Sequence, residues 1–183
     1  MQREELAAAI YDAAHLTGSF LLRSGATARE YFDKYRFERD PRLLRAIAVE
    51  LARLVPEDSD GVAGLELGGV PLATMLSQET GLPLYSVRKR AKEYGTRNLA
   101  EGGEVEGLTL LVVEDVITSG GQVVASTRDL RELGATVHTA VCVIDRQAGG
   151  GEALAAAGVE LKALFTMAQL KEAAGGTTPL NPL

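Results

Sequence analysis

Leu108-Thr109-Leu110-Leu111-Val112-Val113 is the most apolar strand-like run in the chain, and its coupling to a helix limits the fold more than any other feature. The helical pattern covers residues 122–133, with Val123, Val124, Thr127, Leu130 and Leu133 on one side. Gly134 stands where such a helix stops. The unit recurs. Residues 62–66 make a short apolar strand, then comes a turn (Leu67-Gly68-Gly69-Val70-Pro71) and a helix to about Thr80. Further strands are expected over 83–87, over 137–144 and around Leu161, Leu164 and Phe165, with a short helix over 152–157. Strands alternating with helices predict an α/β fold on a parallel sheet with helices on both faces.

The N-terminal part breaks that rhythm. Residues 4–15 read as an amphipathic helix, with Leu6, Ala9, Ile10, Ala13 and Ala14 at helical spacing. Residues 19–22 are a short strand-like run ended by the turn signal Ser24-Gly25. Pro41 suits the first turn of a second helix, which reaches about Val55. Between them lies Tyr31-Phe32-Asp33-Lys34-Tyr35, an aromatic and charged patch in a chain with 5% aromatic residues and no tryptophan. This part is expected to pack on the sheet as a small subdomain.

Composition narrows the function classes. A chain of 183 residues suits one domain, and 46% apolar with 24% charged residues excludes collagen-like, coiled-coil and wholly disordered chains. A net charge of −6 argues against general binding to a nucleic-acid backbone but leaves room for a local basic cluster. No run approaches the ~18 apolar residues of a membrane span, and the N-terminus lacks the apolar core of a secretory signal. The one cysteine, Cys142, excludes a disulfide within the chain and a multi-cysteine zinc site, and fits a reducing, cytoplasmic setting. It is expected to be buried and inert. His15 and His138, the only histidines, have no metal-ligand spacing and read as structural.

The chemistry concentrates after the apolar strand, in Glu114-Asp115-Val116-Ile117-Thr118-Ser119-Gly120-Gly121-Gln122. In open α/β sheets ligands bind beyond the carboxyl ends of strands. A hydroxylated glycine turn opening a helix directs backbone N–H groups and the positive end of the helix dipole at an anion. That makes a cradle for one phosphate. Two acids beside a phosphate would repel it unless they face something else, and the vicinal hydroxyls of a sugar are donors that carboxylates accept well. The run therefore predicts a ribose joined to a phosphate. Neither a Walker-type loop nor a dinucleotide fingerprint is present.

Residues 88–107 fit no regular element, and a loop of this length inside a compact domain is commonly a functional lid. It opens with four cations in five positions, Arg88, Lys89, Arg90 and Lys92, which on an acidic protein suggests a grip on a diphosphate leaving group.

Residues 112–121 resemble the phosphoribosyl diphosphate motif of type I phosphoribosyltransferases. The loop Arg88-Lys89-Arg90-Ala91-Lys92-Glu93-Tyr94-Gly95 is similar to the lid of the orotate branch of that family. Gly18 to Gly25 followed by Tyr31-Phe32-Asp33, Gly64 to Pro71, and Ile144-Asp145-Arg146-Gln147 resemble three further segments in the same order. The resemblance implies the type I fold over residues 1–183: about 1–40 contributing to a hood, 41–170 an α/β core and 171–183 a flexible tail. It departs at Arg23, where some members have lysine, and at Tyr94, where several have histidine.

The resemblance further implies the reaction of orotate with phosphoribosyl diphosphate to give orotidine 5′-monophosphate and diphosphate, in pyrimidine synthesis. Lys89, Lys92 and Asp115 are then the catalytic candidates. Arg23, Arg88, Lys89, Lys92, Tyr94 and residues 114–122 (Glu114, Asp115, Val116, Ile117, Thr118, Ser119, Gly120, Gly121, Gln122) are expected to bind phosphoribosyl diphosphate. Tyr31, Phe32, Thr118 and Arg146 are expected to bind orotate. Mg²⁺ is the implied cofactor, held mostly by diphosphate and ribose oxygens, with no protein residue assigned as its ligand. A homodimer sharing lid residues between subunits is implied as well, with no nucleic-acid or membrane partner. The same residues leave two other outcomes open: a regulator that keeps the pocket as a sensor of the activated sugar, and a transferase for another base.

Overall fold

The structure is a computed structural model that describes residues 1–21, 25–90 and 99–175. The chain opens with helix α1 (Arg3–Ala14), which runs straight into a hairpin of β1 (His15–Leu21) and β2 (Thr27–Phe32). A single turn, α2 (Tyr35–Glu38), leads to α3 (Pro41–Ala52), with Pro41 in its first turn and the Asp40 carboxylate accepting from the N–H groups of Arg42 and Leu43. Then the alternation sets in: β3 (Gly61–Leu65), α4 (Gly69–Thr80), β4 (Leu84–Val87), β5 (Ala100–Glu101), β6 (Leu110–Ile117), α5 (Gly121–Glu132), β7 (Thr139–Asp145), α6 (Gly150–Ala156), β8 (Glu160–Thr166) and α7 (Met167–Gly175).

Strands β3 to β8 form one sheet in the order β5-β4-β3-β6-β7-β8. All neighbours are parallel except the short edge strand β5, which runs antiparallel to β4. The parallel sheet is as the sequence predicts, and the reason is visible in β6. Val113 and Leu111 point into an apolar cluster with α1, α3, α4 and α7, while Val112 and Leu110 point into a second cluster on the α5 and α6 side. A strand covered on both faces has no polar side to show, so it reads as an unbroken apolar run. Each fully buried aliphatic side chain here contributes roughly 1.5–3 kcal/mol. Cys142 lies in the middle of this sheet, fully buried, and burial pushes its thiol pKa up.

Four details differ from the sequence expectations. Strand β6 does not stop at Val113 but continues to Ile117, pairing Glu114 with Cys142 and Val116 with Ile144. The Tyr31-Phe32 segment, given no element on sequence, belongs to the second strand of a hairpin, with Tyr31 opposite Leu16 and Phe32 opposite His15. The segment expected as one long lid is anchored over its second part: Ala100 pairs with Val87, and Ala100 and Val105 are buried. Finally, α7 carries residues 171–175, assigned to the tail on sequence, because Leu170 and Ala173 pack on the core beside α1. No described helix is long and apolar enough to cross a membrane.

Candidate active site

The end of β6 and the turn after it form the floor of the site. Gly120 takes a left-handed conformation (φ 73°), where a side chain would be strained and a Cβ would sit 2.6 Å from Leu154 Cδ1. This lets the turn press against α6 and open α5 with no side chain capping its first N–H groups. Residues 118–121, with Glu114, Val116, Ile117, Gln122 and Val123, line a concavity of about 190 Å³. The residues expected to hold a phosphate thus line one concavity, and the Gln122 amide runs along the helix to Ser126 Oγ at 3.1 Å.

The two acids face different neighbours. Glu114 lines the cradle. Asp115, with no exposed surface, meets the N-terminal segment, and Lys34 Nζ lies 2.5 Å from its Oδ2. Its other oxygen, Oδ1, accepts the N–H of Val116 at 2.5 Å. Glu38, at the end of α2, brings a second buried carboxyl against Asp115. A third element closes the group. A Cβ on Gly68 would lie 1.6 Å from Asp115 Oδ2, and one on Gly69 would lie 2.2 Å from the Val113 carbonyl oxygen. Only glycine at both positions lets the β3–α4 turn lie this close to β6.

Three carboxyls and one ammonium in a buried cluster cannot all be charged. Burial pushes Glu114 up to about 9 and Glu38 up to about 8, with the neighbouring Asp115 adding to both shifts. Burial acts on Asp115 in the same sense, but hydrogen bonds with Glu114, Lys34 and Glu38 outweigh it and hold Asp115 below the usual carboxylate value. Lys34 loses by desolvation and gains more from Asp115, so it stays charged. As carboxylates, Glu38 Oε1 and Asp115 Oδ2 would be buried with no hydrogen-bond donor among the described residues apart from the Lys34 ammonium. A proton kept on Glu38 supplies one. The shifts favour one Asp115 carboxylate and one Lys34 ammonium beside two glutamic acids that hold their protons more tightly than usual.

Beside this floor lies a larger cavity of about 460 Å³ lined by Ala28, Glu30, Tyr31, Phe32, Asp33, Lys34, Tyr35, Val116, Thr118 and Arg146. Every residue assigned to the base on sequence lines it. Val116 and Thr118 line both cavities, so a group in one and a phosphate in the other would be joined across the end of β6. Arg146 is fixed at its backbone, where its N–H donates to the Ile117 carbonyl oxygen at 2.9 Å.

The basic segment follows the carboxyl end of β4, which lies beyond β3 from β6. Arg88 Nε pairs with Glu101 Oε1 at 3.1 Å, and the Lys89 N–H donates to Glu66 Oε2 at 3.1 Å. Neither side chain lines either cavity. Arg23, Lys92 and Tyr94 lie outside the described residues.

Residues 36–160 match the phosphoribosyl transferase domain family. Over 92% of its length the chain is 53% identical to 94% of an orotate phosphoribosyltransferase of Nocardioides sp.. The chain belongs to the orotate phosphoribosyltransferases. Its fold agrees with the orotate phosphoribosyltransferase of Aeropyrum pernix at a TM-score of 0.81 (34% identity, 94% of this chain and 99% of that one). It is likewise similar to the Mycobacterium tuberculosis orotate phosphoribosyltransferase in complex with 5-phospho-α-D-ribosyl 1-diphosphate, at a TM-score of 0.79 (30% identity, 92% and 98%). Family membership came from the motif run and the lid. Glu38 was not among the residues singled out, and Lys34 stood only inside the aromatic patch. Their spacing of four residues carries no weight until α2 is folded beneath Asp115.

Proposed function

We propose that the chain transfers the 5-phosphoribosyl group of phosphoribosyl diphosphate to orotate, giving orotidine 5′-monophosphate and diphosphate in pyrimidine synthesis. The observation that carries this reading is the pair of cavities sharing Val116 and Thr118. A phosphate held by residues 118–121 and a planar anionic base held by Tyr31, Phe32 and Arg146 would be bridged by a ribose over Glu114 and Asp115. Arg146 offers a charge-assisted fork to the carboxylate or ring oxygen of orotate.

The reaction displaces diphosphate from ribose C1 as the ring nitrogen of orotate attacks, and no protein nucleophile is needed. Glu114 and Asp115 hold the ribose hydroxyls and place C1, which is catalysis by positioning. The cradle amides hold the 5′-phosphate. Charge building on the leaving diphosphate is met by Lys89 and Lys92, with Arg88 and Arg23 contributing cations and Tyr94 a hydrogen bond.

No group of three or more His, Cys, Asp or Glu side chains among the described residues is arranged to hold a metal ion. The donor set suits Mg²⁺ that arrives on substrate oxygens and keeps its waters, with Glu114 and Asp115 nearest to the ribose end. When bound, Mg²⁺ supplies charge neutralisation on the diphosphate. The same reading has two copies of the chain paired so that part of the lid reaches the neighbouring site. A lone, buried thiol suits a cytoplasmic protein.

The deciding experiment monitors absorbance with purified protein, Mg²⁺ and phosphoribosyl diphosphate against orotate, uracil, adenine, guanine and hypoxanthine. Consumption of orotate alone is expected. Reaction with a purine or uracil would move the chain to another branch, and binding of the activated sugar without turnover would make it a sensor.

A further inference from the structure

Lys34 has two neighbours of opposite kinds. Its ammonium is the ion-pair partner of Asp115 Oδ2 at 2.5 Å, while its side chain, about a third exposed, lines the cavity that also holds Arg146, Tyr31 and Phe32. Asp115 has little else to offer a ligand. Its Oδ1 is occupied by the Val116 N–H, and Gly68 covers the remaining side so closely that no Cβ fits. A ribose hydroxyl that binds Asp115 must therefore compete for Oδ2 with Lys34, the charged group there, and with the buried Glu38 carboxyl beside it. An ammonium on a flexible four-carbon stem can swing away to another anion without disturbing the backbone.

Building on the transferase reading above, we propose that Lys34 is a partner-switching residue that makes affinity for the anionic base depend on the sugar. In the empty site Lys34 neutralises Asp115. When the hydroxyls of the ribose take Asp115 Oδ2, the ammonium turns into the adjoining cavity and, with Arg146, gives that cavity two cations for the carboxylate of the base. Before the sugar arrives, Lys34 is committed, and Arg146 is the other cation among the described residues lining the cavity, against the acids Glu30 and Asp33. The order has a use: a base that entered first would occupy the cavity without an electrophile to meet. By linkage, the base must raise the affinity for the sugar by the same factor.

The test measures orotate binding to the full-length protein by titration calorimetry, with and without saturating ribose 5-phosphate, a sugar with no leaving group and hence no turnover. For the unaltered chain we expect orotate to bind about tenfold more tightly with the sugar present, within the usual range of coupling between sites. In Lys34→Met the gain should vanish, orotate should bind weakly in both states, and ribose 5-phosphate should bind at least as well as before, because its competitor for Asp115 is gone. Lys34→Arg should restore part of the gain. Lys34→Gln, which keeps a polar contact to Asp115, covers the case in which the methionine variant does not fold. A gain in Lys34→Met or Lys34→Gln equal to that of the unaltered chain would overturn the proposal, and so would sugar-independent orotate binding in the unaltered chain. Failure of orotate to bind the unaltered chain in either state would instead sink the transferase reading and this proposal with it.

Discussion

The site has two halves built in opposite ways. The half made by β6, the 118–121 turn and Gly68 is close-packed and internally neutralised around a buried centre, with Thr118, Ser119 and Gly121 exposed above it: Asp115 has no exposed surface and four groups converge on it. The half at residues 88–90 is open, and its one described ion pair, Arg88–Glu101, is 39% and 30% exposed. The difference matches the demands of the chemistry. Groups that hold the sugar and phosphate must be in place before the reaction, and a rigid floor costs no reorganisation at that moment. Groups that meet the leaving diphosphate must also let it go, so a site for them that is assembled on demand suits turnover.

That contrast is most directly broken at Gly68. A methyl group there would stand 1.6 Å from Asp115 Oδ2, so Gly68→Ala must displace either the turn or the carboxylate. Overpacking of this kind costs roughly 1–3 kcal/mol, and each kcal/mol lowers the melting temperature by about 2–4 °C in a chain of this size. Activity should fall more steeply than stability, by more than about 100-fold, since the oxygen that moves is the one assigned to the ribose. Steady-state kinetics and thermal melting on the same variant separate the two. Near-normal kcat/KM would show that the floor is not rigid.

Among the cations expected to meet the diphosphate, Lys92→Ala should lower kcat by roughly 100-fold, the scale for losing one electrostatic partner of the transition state, while leaving the melting temperature and 5′-phosphate binding nearly unchanged. An equal loss in ribose 5-phosphate affinity and in kcat would place Lys92 on the phosphate rather than on the leaving group.

The two halves also differ in how much of them the sequence revealed. The parallel sheet was legible because strands covered on both faces are apolar throughout, and the cradle was legible because glycine and hydroxyl residues gather there for backbone reasons. The end of β6 was not. Glu114 and Asp115 look like the polar end of a strand, yet the strand continues through them because Lys34 and Glu38 arrive from a segment some eighty residues earlier. Strand β2 escaped for a different reason. Both of its faces are largely exposed, so Thr27–Phe32 lacks the alternation that marks a half-buried strand. Helix α7 is short, and Leu170 is its one buried residue, too little for a periodic signal.

A smaller effect tests the internal neutralisation of the floor. Burial pushes Glu114 up to about 9 and Glu38 up to about 8 in the folded chain, against about 4.5 for an unperturbed glutamate. Between those values the folded state holds protons that the unfolded state has released, so stability falls as pH rises. The contribution is complete below about pH 4.5 and lost as pH passes 8 to 9. Melting temperatures of the ligand-free protein should decline from pH 6 to pH 9, and Glu114→Gln, which stays neutral, should flatten the decline. A profile that rises over this range, or that Glu114→Gln leaves unchanged, would mean the floor carries its acids ionised.

The smallest effect belongs to the exposed pair. Ion pairs this open contribute about 0–1 kcal/mol, so Glu101→Gln should shift the melting temperature by no more than about 2–4 °C. What it changes is where Arg88 points. With Glu101 neutral, the guanidinium loses the anion that holds it against β5, and it becomes available to a diphosphate. Calorimetry should then show diphosphate binding a few-fold more tightly at low salt, with the gain shrinking as ionic strength rises, because exposed charges are screened. The floor should show a smaller salt dependence, since Asp115, one partner of its ion pair, has no exposed surface. If Glu101→Gln instead lowered the melting temperature as much as Gly68→Ala, the Arg88 side would be as firmly built as the floor, and the two halves would no longer differ.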